Sequence, residues 1–247
     1  MKLHPVFATT SLVLLAACGQ SGTGASAVVQ AAPVAGKAAP AGQSWGDVVA
    51  KTDDGGMRMG NPDAPIKLIE YGARTCPTCA RFDTEGLPKL KAGLVASGKV
   101  SYEFRDYPVH GALDIGPILL GHCVESAQFF PMLDEMMRSQ RELLASAEKF
   151  TPAEQAEFQK LSPNELATTL AELLGYLAFV KQRGLPEAKA RACLADKAAI
   201  GDIAQRAEKA GKQFNITGTP TFVINGKVAE GVLDWDGLKA ALTAAGA

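Results

Sequence analysis

Two cysteines three positions apart, Cys76 and Cys79, constrain this chain most, because they stand where a predicted strand leads into a predicted helix. Residues 66–71 form a short apolar run with β-branched side chains, which is typical of a buried strand. Apolar residues then recur at helical spacing from Cys76 onward, and Pro88 is expected to kink that helix. Helix geometry places the two cysteine Cα atoms about 5 Å apart, a distance that a disulfide tolerates.

Two thiols in this position can form and break a disulfide without movement of the backbone. The unpaired N–H groups and partial positive charge of a helix N-terminus favour the Cys76 thiolate. Cys79 lies one turn further along, where we expect it to be buried and to act as the resolving thiol. The alternative is an inert structural disulfide, but so small a loop would stabilise the protein little. The pattern therefore predicts a redox-active pair that carries two electrons itself and needs no bound cofactor.

Charge and composition exclude several other functions. The 247 residues include 25 Lys and Arg and 26 Asp and Glu, so the net charge is -1. This balance gives no basic surplus for nucleic acid, and an aromatic content of 6% argues against a surface on which bases stack. Hydrophobic residues at 47% exclude disorder of the whole chain.

The N-terminus has the pattern of an export signal. A basic Lys2 precedes a short apolar run that is too short to span a bilayer, and small residues follow it. The end of the run, Leu15-Ala16-Ala17-Cys18, resembles a bacterial lipoprotein box, which implies lipidation of Cys18. We therefore predict a signal peptide over residues 1–17. An ordinary signal peptide with a chance cysteine is the alternative.

Residues 18–44 are rich in Gly, Ala, Ser, Pro and Gln, so they are predicted to be a flexible tether to the membrane. The resemblance to lipoproteins implies a periplasmic protein held by a lipid anchor, and Gly19 rather than Asp after the cysteine favours the outer membrane.

Four cysteines remain once Cys18 is set aside. Cys123 and Cys193 are 70 positions apart, so only the pair at 76 and 79 has the close spacing that a zinc site uses. The three histidines form no set with metal-ligand spacing. We therefore predict no metal site.

The remaining patterns predict an α/β chain. A second strand is predicted at 99–106, and the order strand, helix, strand indicates a parallel pair. Near the C-terminus, Asn225-Gly226 between two short apolar segments predicts a hairpin with a type I′ turn. These strands form a predicted four-stranded mixed sheet with helices on both faces. The predicted helices between and after them cover 112–128, 129–147, 152–160, 163–183, 186–194, 196–213 and 234–245.

From residue 45 to the C-terminus the chain resembles the DsbA-like thiol:disulfide oxidoreductases of the thioredoxin superfamily. The motifs that carry the resemblance are Glu70-Tyr71-Gly72 before Cys76-Pro77-Thr78-Cys79, Phe104-Arg105-Asp106-Tyr107-Pro108, Gly218-Thr219-Pro220-Thr221-Phe222 and Asn225-Gly226-Lys227. The resemblance implies a thioredoxin-like fold in two parts, 45–110 and 196–247, with a helical insertion at 111–195.

The resemblance also implies roles for single residues. Pro220 matches the family's cis-proline, which faces the cysteine pair, and the backbone of Thr219 would pair with an extended substrate segment. Glu70 matches a buried acid that exchanges a proton with Cys79. The alternatives are an ordinary turn proline and an exposed carboxylate at the end of a strand.

For Cys123 and Cys193 the resemblance implies a structural disulfide, since some relatives carry a second bridge there. Such a bridge would stabilise the fold by roughly 4 kcal/mol in the chain-entropy model. Two free buried thiols are the alternative.

The predicted function is that of an oxidase that donates its disulfide to exported, unfolded proteins and is recycled by an inner-membrane redox protein. Thr78 between the cysteines and Thr219 before the proline differ from the best-known family member, so a reductase or isomerase kept reduced by a membrane partner stays open. A tethered peptide-binding or chaperone module is the alternative that is not an enzyme. A monomer is expected, because residues 20–60 are too short for an added dimerisation domain.

Overall fold

The structure is a computed structural model that describes residue 1 and residues 30–247. The body of the predicted signal peptide and the predicted lipidation site at Cys18 lie outside the described residues. Among the residues that are described, no helix has the length and apolar character needed to cross a bilayer.

A six-stranded mixed sheet runs through the centre of the fold in the order β1-β2-β4-β3-β5-β6. Neighbouring strands are antiparallel except for β3 and β4, which are parallel. The strands are Val49–Lys51 (β1), Met57–Met59 (β2), Ile66–Gly72 (β3), Val100–Asp106 (β4), Thr221–Ile224 (β5) and Lys227–Val228 (β6).

The α/β fold and the mixed sheet are confirmed, but the predicted count of four strands is wrong. The four expected strands form the series β4-β3-β5-β6, and β1 and β2 add an antiparallel hairpin at the β4 edge. Each added strand has only three residues, too few for an alternating pattern to stand out in the sequence.

Eleven α-helices flank the sheet or build the insertion in the described part of the chain. They are Pro77–Glu85 (α1), Leu87–Leu90 (α2), Ala112–His122 (α3), Phe129–Arg138 (α4), Gln140–Leu144 (α5), Pro152–Phe158 (α6), Pro163–Leu173 (α7), Tyr176–Gln182 (α8), Glu187–Leu194 (α9), Lys197–Phe214 (α10) and Trp235–Ala244 (α11). Capping boxes begin two of these helices, α6 at Thr151 and α7 at Ser162. Several predicted helices are divided; the one over 163–183 breaks at Gly175, which has a φ of 79°.

The interruption expected at Pro88 falls two residues earlier. Helix α1 ends at Glu85, Gly86 follows as its C-cap, and Pro88 lies in the first turn of α2. A proline fits there because the first N–H groups of a helix have no intrahelical partner. A π-helical segment, Lys91–Val95, then leads toward β4.

The prediction of a flexible tether over 18–44 is wrong for the part from residue 31 onward, which packs on the fold. The backbone N–H of Ala31 donates to Ala244 O at 2.9 Å, and that of Val34 donates to Gly246 O at 2.7 Å. The indole N–H of Trp45 donates to Lys37 O at 2.6 Å. The first two contacts hold the segment against the C-terminal end of α11 and the residues after it, and the third joins it to Trp45, so any tether must end before residue 31.

The buried apolar residues divide mainly between the sheet and the insertion. One cluster joins the sheet to α1, α2, α4 and α11 and includes Phe82, Phe104 and Phe222. A second cluster fills the helical insertion. A disulfide between Cys123, at the end of α3, and Cys193, in α9, closes the second cluster, and its Cα atoms are 6.1 Å apart.

Candidate active site

The cysteine pair stands at the start of α1, directly after the loop that follows β3. Cys76 is the N-cap residue of the helix and has extended backbone angles, and Pro77 occupies the first helical position. Proline suits this position because it has no N–H to leave unpaired. Both cysteines are free thiols, and Cys76 is 7% exposed whereas Cys79 is fully buried. The pair therefore offers one sulfur toward the surface and keeps the other inside.

The surroundings of Cys76 favour its thiolate. A hydrogen bond from the Cys79 thiol is the largest effect that lowers the pKa of Cys76, which falls to about 5. Thr219 and the backbone N–H groups of Cys79 and Thr78 lower the pKa further, and burial opposes them. These N–H groups belong to the first turn of α1, where such donors have no helical partner. Cys76 is therefore ionised at neutral pH.

Cys79 has the opposite character. Burial raises the pKa of Cys79 well above its ordinary value, and the hydrogen bond to Cys76 and the nearby Glu70 raise it further. The backbone N–H of Ala73 approaches Cys79 Sγ at 3.5 Å. Cys79 therefore remains a neutral thiol in the reduced protein and supplies the proton that stabilises its neighbour.

The loop before β5 packs against the sulfur of Cys76. The bond between Thr219 and Pro220 is cis, and Thr219 O lies 3.2 Å from Cys76 Sγ. A groove of about 260 Å³ runs beside this loop, and segments 217–221 and 228–233 line it. The structure thus brings Thr219 and Pro220 to the cysteine pair, 143 positions away in sequence.

Glu70 lies on β3 inside the sheet core and is only 2% exposed. The hydroxyl of Tyr102 donates a hydrogen bond of 2.7 Å to its Oε2. Burial raises the pKa of Glu70 to about 8, although the bond from Tyr102 opposes the rise. Glu70 is therefore a buried acid that holds its proton at neutral pH. The nearby Cys76 thiolate raises the pKa of Glu70 further, and an ionised Glu70 raises the pKa of Cys79 in turn.

A buried ion pair lies just before the cysteines, and the sequence analysis did not identify it. Arg74 is fully buried, and its Nε donates to Asp106 Oδ1 at 2.7 Å. His122 Nε2 lies 2.8 Å from the other carboxylate oxygen of Asp106. Burial alone would raise the pKa of Asp106, but Arg74 and His122 outweigh it and lower that pKa. The sequence signal that could have indicated this ion pair is the position of Asp106 within the motif at residues 104–108, which carries part of the family resemblance.

Thr75, the residue directly before Cys76, is also anchored. Its hydroxyl donates to Asp114 Oδ1 at 2.7 Å and lies 2.7 Å from His110 Nδ1. Asp114 belongs to α3 and accepts a second bond, from the backbone N–H of His110, at 2.7 Å. Each residue from Ala73 to Thr75 therefore makes a hydrogen bond, and these bonds hold the segment before the cysteine pair in position.

No cluster of three or more His, Cys, Asp or Glu side chains arranged to hold a metal ion occurs among residues 30–247 or at residue 1. The described site offers the thiol chemistry of Cys76 and Cys79 together with the buried acid Glu70.

Residues 52–244 match a protein-family model described as Thioredoxin. Among curated relatives, two proteins of Rickettsia bellii and Rickettsia prowazekii, named as protein-disulfide oxidoreductases, are 25% and 24% identical over 183 residues. The match covers 74% of this chain but only 62% and 59% of those relatives. Disulfide bond formation protein D of Bacillus subtilis is 23% identical, over 73% of this chain and 72% of that protein.

Solved structures show the same fold. A protein-disulfide isomerase from Novosphingobium aromaticivorans is similar with a TM-score of 0.72 and 28% identity, over 76% of this chain and 95% of that one. Alpha-DsbA1 of Wolbachia pipientis is similar with a TM-score of 0.59 and 22% identity, over 75% and 87% of the two chains.

Proposed function

We propose that this chain, which belongs to the thioredoxin family and is DsbA-like in sequence and fold, is a thiol:disulfide oxidoreductase that works mainly as an oxidase. The observation that carries the proposal is the contrast between the two sulfurs. Cys76 has a pKa of about 5 at the start of α1, whereas the buried Cys79 has a raised pKa. One sulfur is therefore a stable leaving group, and the other is a protected resolving thiol.

The reaction begins from the oxidised pair. A client thiolate attacks Cys76 Sγ, the bond between the two cysteine sulfurs breaks, and Cys79 leaves with the electron pair. The buried acid Glu70 supplies the proton that converts the Cys79 thiolate into a thiol. A second thiolate of the client then attacks the client sulfur of the mixed disulfide and releases Cys76 as a thiolate. The client loses two electrons and gains a disulfide, and the enzyme pair becomes reduced.

The direction follows from where the thiolate is stabilised. Only the reduced protein has a Cys76 thiolate, so the contacts that lower its pKa stabilise the reduced form and not the disulfide. A stabilised reduced form makes the disulfide a stronger oxidant. Client segments would bind in extended form beside the backbone of Thr219 and Pro220, along the groove at segments 217–221 and 228–233.

We further propose that the protein works in the periplasm as a monomer, held by a lipid on Cys18, with the outer membrane favoured. Its clients would be unfolded or partly folded exported proteins, and an inner-membrane redox protein would reoxidise the pair. The second disulfide, Cys123–Cys193, would serve stability alone. No cofactor takes part in this scheme, because the two cysteines carry both electrons.

A second candidate is a reductase or isomerase, and one observation favours it. The solved structure with a TM-score of 0.72 bears the name of a protein-disulfide isomerase. An isomerase would need its cysteine pair reduced at rest, so that Cys76 could attack wrongly paired client disulfides. A peptide-binding module without redox activity is a third candidate, and it would keep its function when Cys76 is replaced.

The deciding measurement is the reduction potential of the Cys76–Cys79 pair in equilibrium with glutathione. A potential of about -120 to -180 mV would support an oxidase, whereas one of about -270 mV would indicate a reductase. Oxidation of a reduced, unfolded client protein is measured in parallel with Cys76→Ser. In Cys79→Ala, the Cys76 thiolate should attack a client that already carries a disulfide, release one client thiol and remain trapped in the mixed disulfide, because the resolving thiol is missing. Client oxidation that survives Cys76→Ser would contradict the proposal.

A further inference from the structure

Among residues 30–247, one buried amide of the helical insertion, that of Gln140, donates hydrogen bonds to the backbone of the cysteine turn. This residue begins α5 and is 5% exposed. Its Nε2 donates to Arg74 O at 2.9 Å and to Cys76 O at 3.0 Å. A primary amide nitrogen has two N–H donors, and both are used here. Since both partners are carbonyl oxygens, only the nitrogen of the amide can face them.

The two carbonyls belong to the residues that fix the position of the Cys76 sulfur. Cys76 O is the first acceptor of α1 and receives the N–H of Ala80 at 3.1 Å. The next peptide nitrogen belongs to Pro77 and has no hydrogen, so the peptide plane between them can be held only through that carbonyl. The hydrogen bond from Gln140 to Arg74 O holds the backbone two residues before Cys76. Gln140 therefore spans the turn and fixes the direction from which Cys76 enters the helix.

This direction determines how well the helix stabilises the thiolate. The N–H groups of Thr78 and Cys79 lower the pKa of Cys76 only while they point at its sulfur. Rotation of the Cys76–Pro77 peptide would turn the sulfur away from them. The amide N–H groups of Gln140 also place partial positive charge beside the turn, in a region that excludes solvent.

We propose that Gln140 is a positioning residue through which the helical insertion sets the stability of the Cys76 thiolate and therefore the oxidising strength of the pair. This inference rests on the proposed function for its consequence in redox chemistry. The thiolate pKa is nevertheless measured without any client or exchange reaction, so failure of the inference and failure of the proposed function are distinguishable.

The test replaces Gln140 by Met, which has a similar length and volume but no N–H donor. The control is Leu143→Ala, a buried position in the same helix that belongs to the core of the insertion. The pKa of Cys76 is measured from the ultraviolet absorbance of the thiolate, and the equilibrium with glutathione is measured in parallel. Thermal unfolding of each variant confirms that it is folded.

We expect Gln140→Met to raise the pKa of Cys76 by about half a unit or more, and to shift the glutathione equilibrium by about threefold toward a less oxidising pair. Leu143→Ala should lower thermal stability and leave the pKa unchanged. An unchanged pKa in Gln140→Met, or an equal rise in both variants, would overturn the proposal. If Gln140→Met does not fold, Gln140→Asn is judged by the same criteria, because its amide is one methylene too short to reach both carbonyls.

Discussion

Tyr102 donates a hydrogen bond of 2.7 Å to Glu70, and both side chains are buried in the sheet core. Burial raises the pKa of Glu70 to about 8 from an ordinary value of 4.5. Between these pH values the folded protein keeps a proton that the unfolded chain has lost. The contribution of Glu70 to stability is therefore complete below about pH 4.5 and is lost as the pH rises through 8.

Glu70→Gln should remove this pH dependence. We expect the free energy of unfolding of the wild-type reduced protein to fall, relative to the variant, by about 1.4 kcal/mol per pH unit in that range. Urea unfolding at a series of pH values measures the difference. The matched control is Glu85→Gln, at an exposed position of α1. The difference in free energy of unfolding between the wild-type protein and this variant should not change with pH. If the difference between the wild-type protein and Glu70→Gln also does not change with pH, Glu70 is ionised in the folded protein.

A second prediction concerns the buried ion pair of Arg74 and Asp106, whose side chains are 0% and 4% exposed. Asp106→Asn keeps the shape of the side chain but leaves the Arg74 charge buried without a counter-charge. We expect the free energy of unfolding to fall by about 3–5 kcal/mol, as found when one partner of a buried pair is removed. Urea unfolding near neutral pH measures this loss.

The matched control for Asp106→Asn is Glu135→Gln, since Glu135 contacts Arg138 and Arg183 at the surface. Its loss should stay below about 1 kcal/mol, because solvent screens exposed pairs. An equally small loss for Asp106→Asn would show that water reaches Arg74.

Local signals account for the parts of the fold that could be predicted. The capping boxes at Thr151 and Ser162 join residues three positions apart, and Asn225 and Gly226 both have the positive φ that a type I′ turn requires. The cysteine pair was located in the same way, from a strand directly followed by a helix. Such signals depend on neighbouring residues alone.

The contacts that position the active site could not be predicted from local sequence signals. Arg74 meets a carboxylate 32 positions away, and Gln140 meets the carbonyl of Cys76 across 64 positions. A charged residue next to a turn is usually solvated, and a glutamine in a predicted helix is usually exposed. Only the folded arrangement gives these two residues their partners, because it brings the end of β4 to Arg74 and places α5 over the cysteine turn.

The second disulfide gives a third prediction. Cys123 and Cys193 are 70 positions apart, so their bond restricts a long loop of the unfolded chain. Replacement of both by Ala should lower the free energy of unfolding by about 4 kcal/mol in the chain-entropy model. Urea unfolding measures the loss. The pKa of Cys76, measured on the same variant, should not change if the bond serves stability alone, and a shift above half a unit would assign it a redox role.

The residue between the active cysteines gives the last prediction. Thr78 is half-buried beside Cys76 in the first turn of α1, and its side chain offers only a neutral hydroxyl. A histidine in its place would bring a donor and a positive charge to the thiolate. We therefore expect Thr78→His to lower the pKa of Cys76 by about one unit and to make the disulfide more oxidising. Thr84→His, at an exposed position further along α1, should leave that pKa unchanged. Thiolate absorbance across a pH series measures both variants, and an equal pKa in the two would show that the hydrogen bonds of the helix N-terminus alone determine the charge on Cys76.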